Sequence, residues 1–224
     1  MNRTPTGIKG FDKLVEGGFP EGAAILLSGT PGTGKTLFGL EFLYHGATNY
    51  NEPGLLVTLS DTRENLLKAA ESFTWDFKKY LDKTIFIETL PSEDFLTTTQ
   101  IIQKVEQHVE KHKIKRLVID SLSTLIGMKR QGEATDVFVQ SLFLKLLRKP
   151  HLTKLLITET PEERQLSSDG RSEFFCEGIV RFIYRSMSGE YNSDILIRKM
   201  RYTKHSNEVF PLEITKKGLV VRSA

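Results

Sequence analysis

Gly29, Gly34, Lys35 and Thr36 have the types and the spacing to hold a chain of phosphates. They lie in Ser28-Gly29-Thr30-Pro31-Gly32-Thr33-Gly34-Lys35-Thr36, after an apolar run, Ala23 to Leu27, and before a helical-looking segment, Leu37 to Ala47. Strand, glycine-rich turn and helix is the context that makes such a match a phosphate-binding loop. Successive main-chain N–H groups can turn inward on an anion, and the helix adds its free N-terminal N–H groups and the positive end of its dipole. Lys35 is expected to reach the β- and γ-phosphates of a nucleotide, and the Thr36 hydroxyl to ligate Mg2+. The nucleotide-binding stretch is therefore read as Gly29, Thr30, Pro31, Gly32, Thr33, Gly34, Lys35, Thr36 and Leu37. The competing reading is a plain glycine-rich turn.

An acid further along the chain belongs with this loop. Arg116-Leu117-Val118-Ile119-Asp120 is a buried-type strand that closes on a carboxylate. The carboxyl end of a parallel strand faces the crevice where ligands bind. Asp120 is expected to be the other Mg2+ contact, through water; the alternative is an acid capping a strand-end turn.

The elements that must position these groups follow from pattern. Gly54 to Leu59, Thr84 to Glu88, Arg116 to Asp120 and Lys154 to Thr158 read as further strands. A helix is expected from Asp61, with Glu64 as its capping-box partner, another around Ile101, Val105 and Val109 to near Lys113, and a long one from Glu133 to Lys149. Alternation of strands and helices implies a parallel sheet. From Ile179 onward the pattern changes. Ile179 to Tyr184, Asp194 to Arg201, Val209 to Thr215 and Leu219 to Arg222 are strands joined by turns such as Ser188-Gly189 and Lys217-Gly218. They are expected to run antiparallel along one edge of the sheet. The expected fold class is α/β, a mostly parallel central sheet flanked by helices, with residues 1–224 as a single domain.

Composition bounds the setting. The chain has 224 residues, 39% hydrophobic and 26% charged, with net charge +3. No apolar run approaches the roughly 20 residues of a membrane span, so no membrane partner is expected. Met1 to Gly10 lacks the layout of a signal peptide, and a lone Cys176 suits a reducing compartment; together they point to the cytoplasm. Cys176 reads as a small core residue. His108 and His112 read as half-buried surface histidines, since His-Val-Glu-Lys-His is not a zinc-hydrolase pattern.

The chain resembles KaiC-like proteins of the RecA superfamily, a group that also holds archaeal RadA paralogs. The resemblance rests on Thr6-Gly7-Ile8-Lys9-Gly10-Phe11-Asp12, Gly17-Gly18-Phe19-Pro20, the loop through Thr36, Phe42-Leu43-Tyr44-His45-Gly46-Ala47, Phe73-Thr74-Trp75-Asp76 and Ile119-Asp120-Ser121, in that order. It implies one RecA-like P-loop ATPase core, nucleotide sites between subunits, and assembly of the chain with itself as a ring or filament, often a hexamer. Lys199, Arg201 and His205 match the family's KxRxxxH stretch, whose basic residues reach a nucleotide held by the neighbouring subunit. A solvated basic face is the alternative for Lys199 and Arg201.

One departure bears on rate. The family usually has two glutamates at the end of the second strand, one of which orients the attacking water; here Ser60-Asp61 stands in that place. Serine cannot act as the base. Asp61 can, with a side chain about one methylene shorter, and a misplacement near 1 Å can cost about 100-fold. Slow ATP hydrolysis is therefore expected. Asp61 reads equally well as a helix N-cap, and Glu159 as a phosphate sensor or a strand-end polar residue. Two loops correspond to channel-lining loops of the family, so Lys129, Arg130, Arg164 and Arg171 could meet single-stranded DNA; solvated loops are the other reading. Two tasks remain open: a DNA-repair accessory that works on single-stranded DNA or a recombinase, and a signalling or scaffold protein for which ATP is an assembly ligand. The Glu173-Phe174-Phe175-Cys176-Glu177 stretch lacks the Ser-Thr pair that clock relatives autophosphorylate.

Overall fold

The computed structural model describes residues 1–90, 98–127, 149–160, 165–187 and 190–222. In chain order the strands are β1 (Arg3–Thr4), β2 (Phe19–Pro20), β3 (Ala24–Gly29), β4 (Gly54–Thr58), β5 (Ile85–Thr89), β6 (Arg116–Asp120), β7 (Thr153–Glu159), β8 (Gly178–Met187), β9 (Glu190–Met200), β10 (Val209–Thr215) and β11 (Gly218–Val221). The helices are α1 (Lys35–Tyr50), α2 (Arg63–Glu71), α3 (Phe77–Tyr80), α4 (Thr98–Lys111), α5 (Leu122–Gly127) and α6 (Ser172–Phe175), with a 3-10 turn at Asp12–Val15. The helix expected over Glu133 to Lys149, apart from Lys149 itself, and the Ser188-Gly189 turn lie outside the described residues.

Among the described residues, nine strands form one sheet in the order β11-β10-β9-β8-β3-β7-β6-β4-β5. β3 pairs in parallel with β7 on one side and β8 on the other, and β6 lies parallel to both β7 and β4. The central strands are wholly buried, as their unbroken apolar runs require when both faces are covered. One correction concerns β8. It was expected to run antiparallel with the other C-terminal strands, but it is parallel to β3; only β9, β10 and β11 reverse in turn. The chain crosses back from the end of β7 to the start of β8 through the segment bearing α6, so β8 enters the sheet in the same sense as β3. Hairpins set direction only after that crossover.

Two apolar clusters sandwich the sheet. The first is built on α1 with Phe38 and Phe42, and takes in Phe11, Phe19, Val118, Phe182 and the inner residues of β9 to β11. Its phenylalanines meet edge to face, Phe38 lying 5.1 Å from Phe11 and 5.6 Å from Phe182 between ring centres. The turn-rich N-terminal segment is thereby packed on α1 and β8, each buried ring contributing about 2–3 kcal/mol. The second cluster lies on the other face, with Ile101, Val105 and Val109 of α4 against Leu117 and Ile119. Cys176 is buried there, as its size predicts, and burial pushes its thiol pKa up.

α1 is covered nearly all round, and glycine lets it lie close to the sheet. A Cβ on Gly46 would sit 2.4 Å from Cδ and 2.5 Å from Nε of Arg116. The Arg116 side chain is 0% exposed; it donates to the Phe42 carbonyl at 2.9 Å and pairs with Glu52 at 2.7 Å. Glu41, also buried, accepts the Leu219 N–H at 2.7 Å and so ties the middle of α1 to β11. Trp75 stacks between Phe73 and Tyr44, and its indole N–H donates to the Lys217 carbonyl at 3.0 Å.

α2 starts later than its sequence signal. Thr62, not Asp61, is the N-cap: its hydroxyl accepts the Asn65 N–H at 3.2 Å. Asp61 instead accepts from the Thr62 N–H at 2.7 Å and the Asn65 side-chain amide at 2.9 Å, which leaves Glu64 outside any capping box with it. The Thr62 oxygen, one residue later than the expected cap, is the one that reaches the third N–H of the helix. His108 and His112 are half-buried; His112 stacks on Phe86 and His108 lies 3.3 Å from Glu88.

Gly46→Ala weighs two opposed effects. Alanine in a helix interior gains about 1 kcal/mol over glycine. A methyl forced against a buried, paired guanidinium costs about 1–3 kcal/mol, because Arg116 has no solvent to swing into. The expected net is a loss of about 1 kcal/mol in chemical denaturation, and a stabilised variant would refute the close packing of α1 on Arg116.

Candidate nucleotide site

The carboxyl ends of β3, β7, β6 and β4 gather the candidate groups at one end of the sheet. Gly29 pairs level with Glu159, and Thr58 with Asp120. The loop from Gly29 to Gly34 leaves β3 and enters α1 directly. Gly32 and Gly34 have φ of 81° and 95°, which side-chain-bearing residues rarely adopt. Gly34 is the N-cap of α1 and no side chain caps the helix, so the first-turn N–H groups stay open toward the crevice. Thr33 braces the turn, its hydroxyl donating to the Thr30 carbonyl at 2.8 Å.

Lys35 is buried and folded over the loop. Its ammonium donates to the Thr30 carbonyl at 2.7 Å and the Gly29 carbonyl at 3.0 Å. Burial lowers its pKa from the ordinary lysine value, while Glu159 and Asp120 pull it back up. The Thr36 hydroxyl donates to Asp120 Oδ2 at 2.6 Å, so the two residues read as metal contacts from 84 positions apart do meet. Burial also raises the Asp120 pKa; the Thr36 hydrogen bond and Lys35 oppose this, and Glu159 and Asp61 reinforce it. Lys35 is thus acted on by two carboxylates, Glu159 and Asp120, and Asp120 in turn by Glu159 and Asp61.

That surplus of negative charge suits a divalent cation. Among the described residues no three His, Cys, Asp or Glu side chains converge as a cage. Mg2+ asks for less: it typically takes one or two protein oxygens and completes its shell with phosphates and water. Thr36 and Asp120 supply that number of oxygens.

Glu159 is held beside this group. Its N–H donates to Ser123 Oγ at 2.8 Å, and Ser123 also lies 3.3 Å from the Thr158 hydroxyl. α5, which carries Ser123 just past Asp120, had no periodic signal strong enough to be read. Asp61 lies at the end of β4, exposed, with one carboxylate oxygen engaged by its own turn and near enough to Asp120 to raise its pKa.

Lys199, Arg201 and His205 are not part of this cluster. Ile25, near the start of β3, is level with Gly178, and Gly178 is level with Met200. The loop after β9 is thus at the amino end of β3, about 13 Å of strand below Gly29. β9 stops at Met200, so Arg201, expected to be the last residue of that strand, sits in a turn. Lys199 donates to the carbonyls of Cys176 at 2.7 Å and Glu173 at 3.1 Å. Burial lowers its pKa, with Arg201 adding to the effect. Arg201 is exposed, and the His205 Nδ1 lies 3.0 Å from the Ser206 carbonyl. Of the four cations considered for single-stranded DNA, Arg171 is exposed at the start of α6; Lys129, Arg130 and Arg164 lie outside the described residues.

Comparison with known proteins agrees with this geometry. A family model described as "ATPase: KaiC" matches residues 4–224. The circadian clock oscillator protein KaiC of Synechococcus elongatus is 32% identical over 226 residues, covering 96% of this chain and 43% of that protein. The KaiC of Prochlorococcus marinus subsp. pastoris is 29% identical over 232 residues, covering 99% of this chain and 45% of its own. This chain thus spans under half the length of these curated relatives. The crystal structure of KaiC-like protein PH0186 from Pyrococcus horikoshii OT3 superposes with a TM-score of 0.90 at 37% identity, covering 99% of both chains. A strand-loop-helix phosphate cradle, an acid in contact with its threonine, and a match that spans nearly every residue place the chain in the KaiC-like ATPases of the RecA superfamily.

Proposed function

We propose that residues 1–224 form one ATPase unit that binds ATP with Mg2+ at Gly29–Leu37 and hydrolyses it slowly, in a site completed by a second copy of the chain. The contact between Thr36 and Asp120 at the head of α1 carries the binding half of this reading. The loop N–H groups and the open first turn of α1 take the phosphate oxygens. On binding, Lys35 exchanges its bonds to the Gly29 and Thr30 carbonyls for the β- and γ-phosphates. Mg2+, held by Thr36 directly and by Asp120 through water, would screen the phosphate charge. Asp61 orients a water and takes up its proton as the water oxygen bonds to the γ-phosphorus and the bond to the bridging oxygen breaks; ADP and phosphate then leave. Glu159, beside Lys35, is placed to register loss of the γ-phosphate.

The second copy enters on geometry. Lys199 and Arg201 match basic residues that act on a neighbour's nucleotide in the family, and they lie at the opposite end of the sheet from their own loop. A head-to-tail stack brings the amino end of one sheet to the carboxyl end of the next. Such heterologous contacts close into rings or extend as filaments. A cation added in trans stabilises charge on the transferring phosphoryl group. Of the two tasks, the ATP-regulated assembly is favoured, because Ser60-Asp61 stands in place of the glutamate pair and Lys199 and Arg201 lie at the end of the sheet away from their own loop. A cytoplasmic setting goes with it.

Lys35→Ala is expected to weaken ATP binding about 100-fold, read by calorimetry with magnesium present. Unchanged affinity would remove the loop from the site. Asp61→Ala should keep affinity and lower turnover about 100-fold; equal turnover would show that Asp61 does not position the water. Arg201→Ala should likewise bind ATP and hydrolyse it about 100-fold more slowly. Sizing the protein with and without ATP, then with single-stranded DNA at two salt concentrations, should give larger particles with ATP alone. An oligomer that forms only with DNA would favour the repair task.

A further inference from the structure

The loop that carries Arg201 is fixed from both sides of that residue. The Arg201 N–H donates to the Glu177 carbonyl at 2.8 Å. The Arg201 carbonyl accepts the Thr203 hydroxyl at 3.1 Å. That hydroxyl in turn accepts from Arg3 Nη1 at 2.6 Å, and Arg3 Nη2 donates to the Tyr202 carbonyl at 3.1 Å. Tyr202 between them has φ of 58°, the left-handed region that a bulky residue enters only when its surroundings hold it there. Its side chain is 71% exposed, so side-chain packing is not what holds it.

Arg3 is itself anchored. Glu16 pairs with Nη2 at 2.6 Å, and the Arg3 side chain is only 17% exposed. In β1 Arg3 pairs with Pro20 and Thr4 with Phe19, and Phe19 is part of the ring cluster on α1. The planar fork of a guanidinium is what allows one side chain to serve a hydroxyl, a carbonyl and a carboxylate together.

We infer that Arg3 is a positioning residue: it locks the turn at Tyr202 so that the exposed Arg201 side chain is presented in one direction to a neighbouring copy. This rests on the reading in which Arg201 serves the nucleotide of another subunit. The nearest part of its own nucleotide loop lies at the far end of β3, so Arg3 acts on hydrolysis only through this turn. Locking matters because a displaced cation stabilises the transferring phosphoryl poorly, and an error near 1 Å can cost about 100-fold.

The test uses the whole chain with ATP and magnesium. Arg3→Ala should bind ATP with wild-type affinity and lose turnover by about tenfold or more, toward the level of Arg201→Ala. Arg3→Lys, which keeps the charge without the fork, should fall between. Thr203→Val, which removes only the hydroxyl relay, should lose turnover in the same direction and covers the case in which Arg3→Ala folds poorly. Co-assembly separates positioning from general damage. R3A chains mixed with K35A chains should recover turnover well above either alone, since the intact loop of one meets the intact Arg201 of the other. R3A mixed with R201A should not recover. Wild-type turnover in both R3A and T203V, or no rescue by K35A, overturns the inference while the trans reading survives. Wild-type turnover in R201A itself overturns both.

Discussion

A threonine on a helix and an aspartate at a strand end must touch, and much of the architecture follows from that requirement. Thr36 lies one residue inside α1, and Asp120 closes β6. β7 stands between β3 and β6, so the hydroxyl reaches the carboxylate only if the three strands end at nearly the same level and α1 departs from β3 across the top of the sheet. Parallel pairing in fixed register supplies the first condition. The loop from Gly29 to Gly34 supplies the second, with left-handed glycines turning the chain sharply enough to start a helix at Lys35. A one-residue slip of β6 against β7 would move Asp120 by about 3.3 Å and turn its side chain to the other face. The deep burial of β3 and β6 makes such a slip costly, since it would carry a whole apolar set away from its cluster.

The same arrangement concentrates charge where solvent is scarce. Lys35 is drawn down by burial and Asp120 is drawn up by it; each favours the charged form of the other, while Glu159 and Asp61 push Asp120 further up. Removing any one member alters the balance of the rest, and the group is best regarded as a single unit. Lys199 experiences a milder version at the other end of the sheet, satisfied by carbonyls of the α6 segment. Among the described residues the two ends thus differ: Lys35, Asp120 and Glu159 gather at the carboxyl ends of the central strands, and Lys199 and Arg201, with the exposed Tyr202, lie at the other end.

What could be read from residue order alone was local or periodic. The phosphate loop, its strand and its helix are contiguous, so their geometry is written in nine neighbouring letters. Asp120 was legible because an unbroken apolar run ending in an acid has few other uses. The direction of β8 was not, because hairpin patterning describes a strand's faces and says nothing of how the chain reached its first end. Asp61 and Thr62 are both good caps, and only the spatial reach of each oxygen to the Asn65 N–H decides between them. Arg3 and Thr203 are separated by 200 positions, and no propensity or motif connects residues at that distance. Glu41 shows the same limit: a carboxylate within a buried helix is explained only by the Leu219 N–H, 178 positions away, that donates to it.

Trp75 is the chain's one tryptophan, and its ring is clasped by Phe73 and Tyr44 while its nitrogen holds the turn between β10 and β11. Intrinsic emission excited at the red edge therefore comes from a single place: the seam where the last hairpin rests on the helix behind the phosphate loop. An optical signal from this protein is a report on that seam, and any equilibrium followed by it describes how the C-terminal hairpin lets go.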